Sequence, residues 1–95
     1  MITATFFKDS KGVYRGFSLI GHAGFADSGM DIVCSAVSVL AINCVNSIET
    51  FAKDEAVANV DENTGLLTFA FSNMEVSEKA TLFIDSLILG LNGVK

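Results

Sequence analysis

A chain of 95 residues, 51% of them hydrophobic and 18% charged, is long enough for one hydrophobic core and too short for two, so 1–95 reads as a single domain. Eight Phe, no Pro and no low-complexity run exclude a disordered or collagen-like chain. The net charge is −5 and the six Lys and Arg are scattered, which argues against nucleic-acid binding, since a phosphate backbone is held by clustered bases; surplus acid suits solubility or a basic protein partner.

In chain order, Ile2, Ala4 and Phe6 alternate with Thr3 and Thr5, the period of a half-buried strand, which is expected to run to about Lys8. Asp9-Ser10-Lys11-Gly12 is a turn cluster, and Val13, Arg15, Phe17 and Leu19 then alternate up to Ile20, so the first 20 residues predict a hairpin. The charges at Lys8, Asp9, Lys11 and Arg15 leave no stretch long enough for a signal-peptide core. Gly21 to Met30, with Gly21, Gly24 and Gly29, has neither helical nor strand periodicity and reads as a mobile loop that could close over a bound chain.

From Asp31 to about Lys53 there is no Gly or Pro. Ile32, Val33, Ala36, Val37, Leu40, Ala41, Cys44, Val45 and Ile48 fall at helical spacing, with Asp31 placed to cap the start. Val39 and Ile42 widen the apolar surface, so this helix is expected to be covered on more than one side. Its Ser35, Ser38 and Asn43 leave the apolar run well short of the roughly 20 residues a membrane span requires. Ala56 to Val60, a turn over Asp61-Glu62-Asn63-Thr64-Gly65, and Leu66 to Phe71 predict a second hairpin. Val76, Ala80, Phe83, Ile84, Leu87, Ile88 and Leu91 predict a second amphipathic helix, with capping residues among Ser72 to Ser77 and a stop at Gly93. The fold class is therefore α+β, ββαββα, with an antiparallel or mixed four-stranded sheet and two helices on one face. The two ββα halves suggest a structural pseudo-repeat.

Chemistry is sought first at the only His, His22, which sits where the first hairpin meets the glycine-rich segment, and at Cys34, twelve residues later. A Cys nucleophile acts as the thiolate, and a free thiol with a pKa near 8.5 is mostly protonated at neutral pH unless its surroundings favour the anion. With Asp31 as the cap, Cys34 is the third helical residue, facing unpaired N–H groups and the positive end of the helix dipole. The competing reading makes Cys34 a small buried hydrophobe and His22 a strand-end surface residue; for Cys44 the buried reading stands alone. Spacing by itself leaves the two readings of His22 and Cys34 open.

Other chemistries fail. The segment Gly24 to Asp31 has the glycines of a phosphate loop but Met30 and Asp31 where Lys and Ser or Thr are needed. His22, Cys34 and Cys44 are too few and too far apart for a zinc site, so no metal and no cofactor are expected. Two Cys ten apart form no disulfide framework, and the cytoplasm is the expected compartment. Asp54-Glu55 and Asp61-Glu62 lie at turns and read as solvated pairs.

Gly21-His22-Ala23, followed by Asp31-Ile32-Val33-Cys34-Ser35-Ala36-Val37-Ser38, resembles the bacterial ribosomal-processing cysteine protease family, Prp, and the resemblance extends over the whole chain. Ser35 departs from it mildly, since the family often has Ala there. The resemblance implies an endopeptidase that removes a short N-terminal extension from large-subunit ribosomal protein twenty-seven. It makes His22 the catalytic His and Cys34 the nucleophile, and Asp31 and Ser38 supporting positions. It also implies a homodimer. From the residues, Asp31 can be a helix cap or a partner that orients His22, and both remain open. A non-catalytic, ribosome-associated binding module is the alternative function.

Overall fold

A computed structural model describes residues 2–20, 28–61 and 63–93, with the helical path of 28–35 given without its side chains. The elements are β1 (Thr3–Lys8), β2 (Tyr14–Ile20), α1 (Ser28–Phe51), β3 (Ala56–Asp61), β4 (Leu66–Phe71) and α2 (Glu78–Gly93). The sheet has the order β1-β2-β4-β3 and every pairing is antiparallel, which settles the choice between antiparallel and mixed. Each hairpin places one strand at the edge and one at the centre, so the two ββα halves meet at the β2–β4 seam.

Turn chemistry fixes both hairpins. Asp9 Oδ1 accepts the N–H groups of Lys11 and Val13 at 2.8 and 3.0 Å, and Gly12 supplies a φ of 81°. Asp61 does the same for Asn63 at 2.9 Å, and Gly65 supplies a φ of 72°. In β2 the simple alternation fails. Phe7 pairs with Gly16 but Lys8 pairs with Tyr14, so Arg15 is an extra, bulged residue. The bulge brings Tyr14 to the face that holds Phe17. Tyr14, Phe6, Phe17, Phe69 and Phe71 then make an unbroken aromatic row across three strands, with successive ring centroids 5.0–5.8 Å apart. Val13 and Arg15, expected on that face, are not part of the row. The Arg15 guanidinium instead donates to the carbonyls of Phe71, Asn73 and Met74, bolting down the segment between β4 and α2.

Among the described residues, the buried apolar side chains form one cluster: Phe17, Leu19, Phe69 and Phe71 from the sheet, Val37, Ala41, Cys44, Val45 and Ile48 from α1, and Ala80, Ile84 and Leu87 from α2. Both helices therefore lie on the same face. Helix α1 begins at Ser28, four residues before the predicted first helical residue Ile32, and takes in Gly29, which was expected in the loop; Gly21 and Gly24 fall outside the described residues. The lack of apolar periodicity before Asp31 hid that first turn. Val39 and Ile42, expected to be covered, are 66% and 52% exposed. Ser77 caps α2, its Oγ accepting from Ala80 N at 3.1 Å.

Asp54 ties the α1–β3 connection to this cap, accepting from Ser77 N at 2.8 Å, Asn73 Nδ2 at 3.0 Å and Ser77 Oγ. Partial burial pushes the Asp54 carboxyl pKa upward, but the hydrogen bonds from Ser77 and Asn73 outweigh it and hold the group below the ordinary carboxylate value. A folded-state pKa below the unfolded one gives stability that is complete above the unfolded value, about 4, and is lost as pH falls through the folded one. Urea unfolding as a function of pH should therefore show an acid-side loss of stability in the parent that is smaller in Asp54→Asn; equal slopes below pH about 4 would contradict the assignment.

Gly16 is required by close approach. A Cβ there would overlap the Phe69 carbonyl oxygen and lie 3.0 Å from Ala70 Cα, both backbone atoms of the paired strand. Gly16→Ala should cost about 1–3 kcal/mol in urea unfolding, whereas Gly93→Ala, with nothing within 4 Å, should be near neutral. A harmless Gly16→Ala would refute the tight seam.

Candidate active site

Three of the four expected catalytic and supporting positions lie on α1. Asp31, Cys34 and Ser38 are three and four residues apart and so share one stripe of the helix. Position 34 is three residues before Val37, which is buried, and four before Ser38, which is exposed. His22 lies outside the described residues, so its relation to position 34 is not on view.

The start of α1 at Ser28 changes the electrostatics expected of the site. Asp31 is the fourth residue of the helix rather than the residue before it, so it cannot be the N-cap. Cys34 is the seventh, beyond the four N–H groups that lack an intrahelical partner, so its own N–H belongs to the helical ladder. The dipole effect is concentrated in the first turn, so the helix start stabilises a thiolate at position 34 less than the predicted start implied.

Cys44 is the contrast. It is buried in the α1–α2 interface, where its Sγ donates to the Phe83 carbonyl at 3.5 Å, and burial pushes its thiol pKa up to about 11. A neutral, enclosed thiol is a poor nucleophile, as the sequence reading expected for this residue. Among the described residues no three His, Cys, Asp or Glu converge as metal ligands, and no helix is long and apolar enough to cross a membrane.

The comparisons with known proteins agree with this architecture. The family model described as cysteine protease Prp matches residues 1–95. The ribosomal processing cysteine protease Prp of Bacillus subtilis (strain 168) is 31% identical over 98 residues, covering 100% of this chain and 88% of the relative. A crystal structure from Streptococcus mutans superimposes with a TM-score of 0.86 at 34% identity, over 99% of this chain and 86% of the other. The structure of an essential ribosomal processing protease Prp from S. aureus with a substrate peptide superimposes with a TM-score of 0.89, over 99% and 88% of the two chains; at 22% identity it speaks for the fold.

In a Cys34→Ser protein, the remaining Cys44 should resist a maleimide at neutral pH until denaturant is added; rapid labelling of the folded protein would contradict its burial.

Proposed function

The chain belongs to the Prp family of cysteine proteases, and from that membership we propose that it is an endopeptidase whose Cys34 thiolate and His22 imidazole form the reacting pair. The observation that supports this reading is the match of the cysteine protease Prp family model to residues 1–95, which takes in both the Gly21-His22-Ala23 and the Asp31 to Ser38 motifs. Membership of a protease family sets aside the non-catalytic binding module.

In this reading His22 takes the Cys34 proton and the thiolate attacks the scissile carbonyl. Collapse of the tetrahedral intermediate forms a thioester and breaks the C–N bond, with His22 returning the proton to the leaving amine. Water, deprotonated by His22, then hydrolyses the thioester and restores the thiol. Because position 34 stands nearly two turns from the helix start, the imidazole supplies most of the thiolate stabilisation. Asp31, no longer a cap, takes the orienting role toward His22, and Ser38 supports the same stripe. The substrate is the N-terminal extension of large-subunit ribosomal protein twenty-seven. Naming of the relatives as ribosomal processing proteases supports that choice, and so does the net charge of −5, which suits a basic protein substrate. Such a protease works in the cytoplasm.

Incubation with a peptide spanning the extension junction, read by mass spectrometry, should give two products with the parent. Cys34→Ala and His22→Ala should give none above background, with unchanged melting temperatures. Asp31→Asn should lose activity by about 10²-fold or more, because the amide carries no charge to hold an imidazolium. Full cleavage by Cys34→Ala would end the nucleophile assignment, and near-normal activity of Asp31→Asn would end the orienting role.

Dimerisation belongs to the same proposal. A chain this short is marginal alone, and α1 leaves Val39 and Ile42 uncovered within one copy; a second copy packed on that stripe gives them the cover their spacing calls for. Light scattering should report a dimer at micromolar concentration and a monomer for Ile42→Glu; a monomeric parent would remove this part.

A further inference from the structure

The two edges of the sheet are not alike. Along β1 the register against β2 shifts between Phe7 and Lys8, opposite the bulged Arg15 of β2, and Lys8 closes the edge strand with its ammonium over the Tyr14 ring. Bulges and edge lysines are how natural sheets discourage an added strand. No such device is present on β3. Its register against β4 is unbroken from Ala56↔Phe71 to Asp61↔Leu66, and Ala56 to Val60 carry no charge. The strand is exposed from Val57 onward, with Val57 56% and Val60 65% accessible on opposite faces of the sheet. An edge strand leaves alternate N–H and C=O groups without a strand partner, and it is the last strand of the sheet.

Charge identifies what can occupy that edge. Asp54 and Glu55 stand before the strand and Asp61 ends it, so five uncharged residues are bracketed by acid. If a second copy paired antiparallel to β3, with Ala58 opposite the second copy's Asn59, Asp61 would lie against the second copy's Ala56, next to its Glu55, and the same would recur at the other end. Like charges opposed across strands are destabilising. An extended segment with Lys or Arg at both ends meets the opposite condition. Backbone pairing would hold such a segment in place, and the acidic brackets would select its charge.

We infer that the open edge of β3 is a docking strand for an extended basic peptide segment, which adds to the sheet as a fifth strand beside Ala56–Asp61. This goes beyond the proposed cleavage and does not depend on Cys34. A basic protein substrate would gain a second hold there, but binding at β3 can be read without any turnover.

The test uses the full chain carrying Cys34→Ala, so that no cleavage occurs, with the designed peptide KKTVTVTKK as probe. Its acidic counterpart EETVTVTEE and a form of KKTVTVTKK N-methylated at alternate residues are the controls. Nuclear magnetic resonance should show saturable shifts and slowed exchange of backbone amides across 56–61 with KKTVTVTKK and neither effect with the controls. Glu55→Gln combined with Asp61→Asn keeps the turn acceptor and should weaken binding about threefold to tenfold with an unchanged melting temperature. The proposal fails if the shifts fall on β1 or the helices, or if either control peptide binds as well. It fails equally if the double variant binds unchanged, or if β3 becomes protected by raising protein concentration alone, which would make a second copy the occupant.

Discussion

The stacked contact of Phe17 with Phe69, 5.4 Å between ring centroids across the β2–β4 seam, is the constraint on which the rest of the molecule depends. It sets the register of the two central strands, and that register puts Leu19 and Phe71 on the same face as both rings. Because this one face carries the sheet's whole buried contribution, α1 and α2 share a single floor and must pack against each other. Gly16 allows the seam to close, since any side chain at that position would meet the backbone of β4. Gly90 does the same between the helices less strictly, where an added Cβ would sit 3.3 Å from the flexible end of Leu40.

That floor also anchors α1, the helix on which the proposed nucleophile lies. From Val37 to Ile48 α1 is pinned by five buried side chains. Position 34 lies one turn before the first of them, about 4.5 Å along the axis, so the scaffold locates it with the stiffness of a continuous helix. Cys44, ten residues on in the same element, is not the proposed nucleophile. It faces the α1–α2 contact, and burial there holds its proton on.

Much of this was legible in the sequence because its signals are local. The Asp–Gly turn clusters, the 2- and 3.6-residue periods and the Ser77 cap each depend on a few neighbouring residues, and they located all six elements. The errors arose where tertiary context decides. The bulge at Arg15 is invisible to alternation, since it exists only through pairing with β1, and it exchanged Tyr14 for Val13 on the core face. The first turn of α1 contains Gly29 and lacks an apolar stripe, so periodicity started the helix too late and made Asp31 a cap. Exposure of Val39 and Ile42 could not be foreseen, because a helical pattern states which residues are apolar and not what covers them. The pairing of His22 with Cys34 was open on spacing alone, and it was the resemblance across both motifs that pointed to a protease.

The shifted helix start leads to the central claim, that the imidazole of His22 and not the end of α1 makes Cys34 a thiolate. The rate of Cys34 alkylation against pH, measured in a Cys44→Ala background with and without His22→Ala, tests it directly. The parent should inflect well below the ordinary thiol value of about 8.5, and His22→Ala should move the inflection up to that value. An inflection that stays low without His22 would contradict the account and return the activation to the helix.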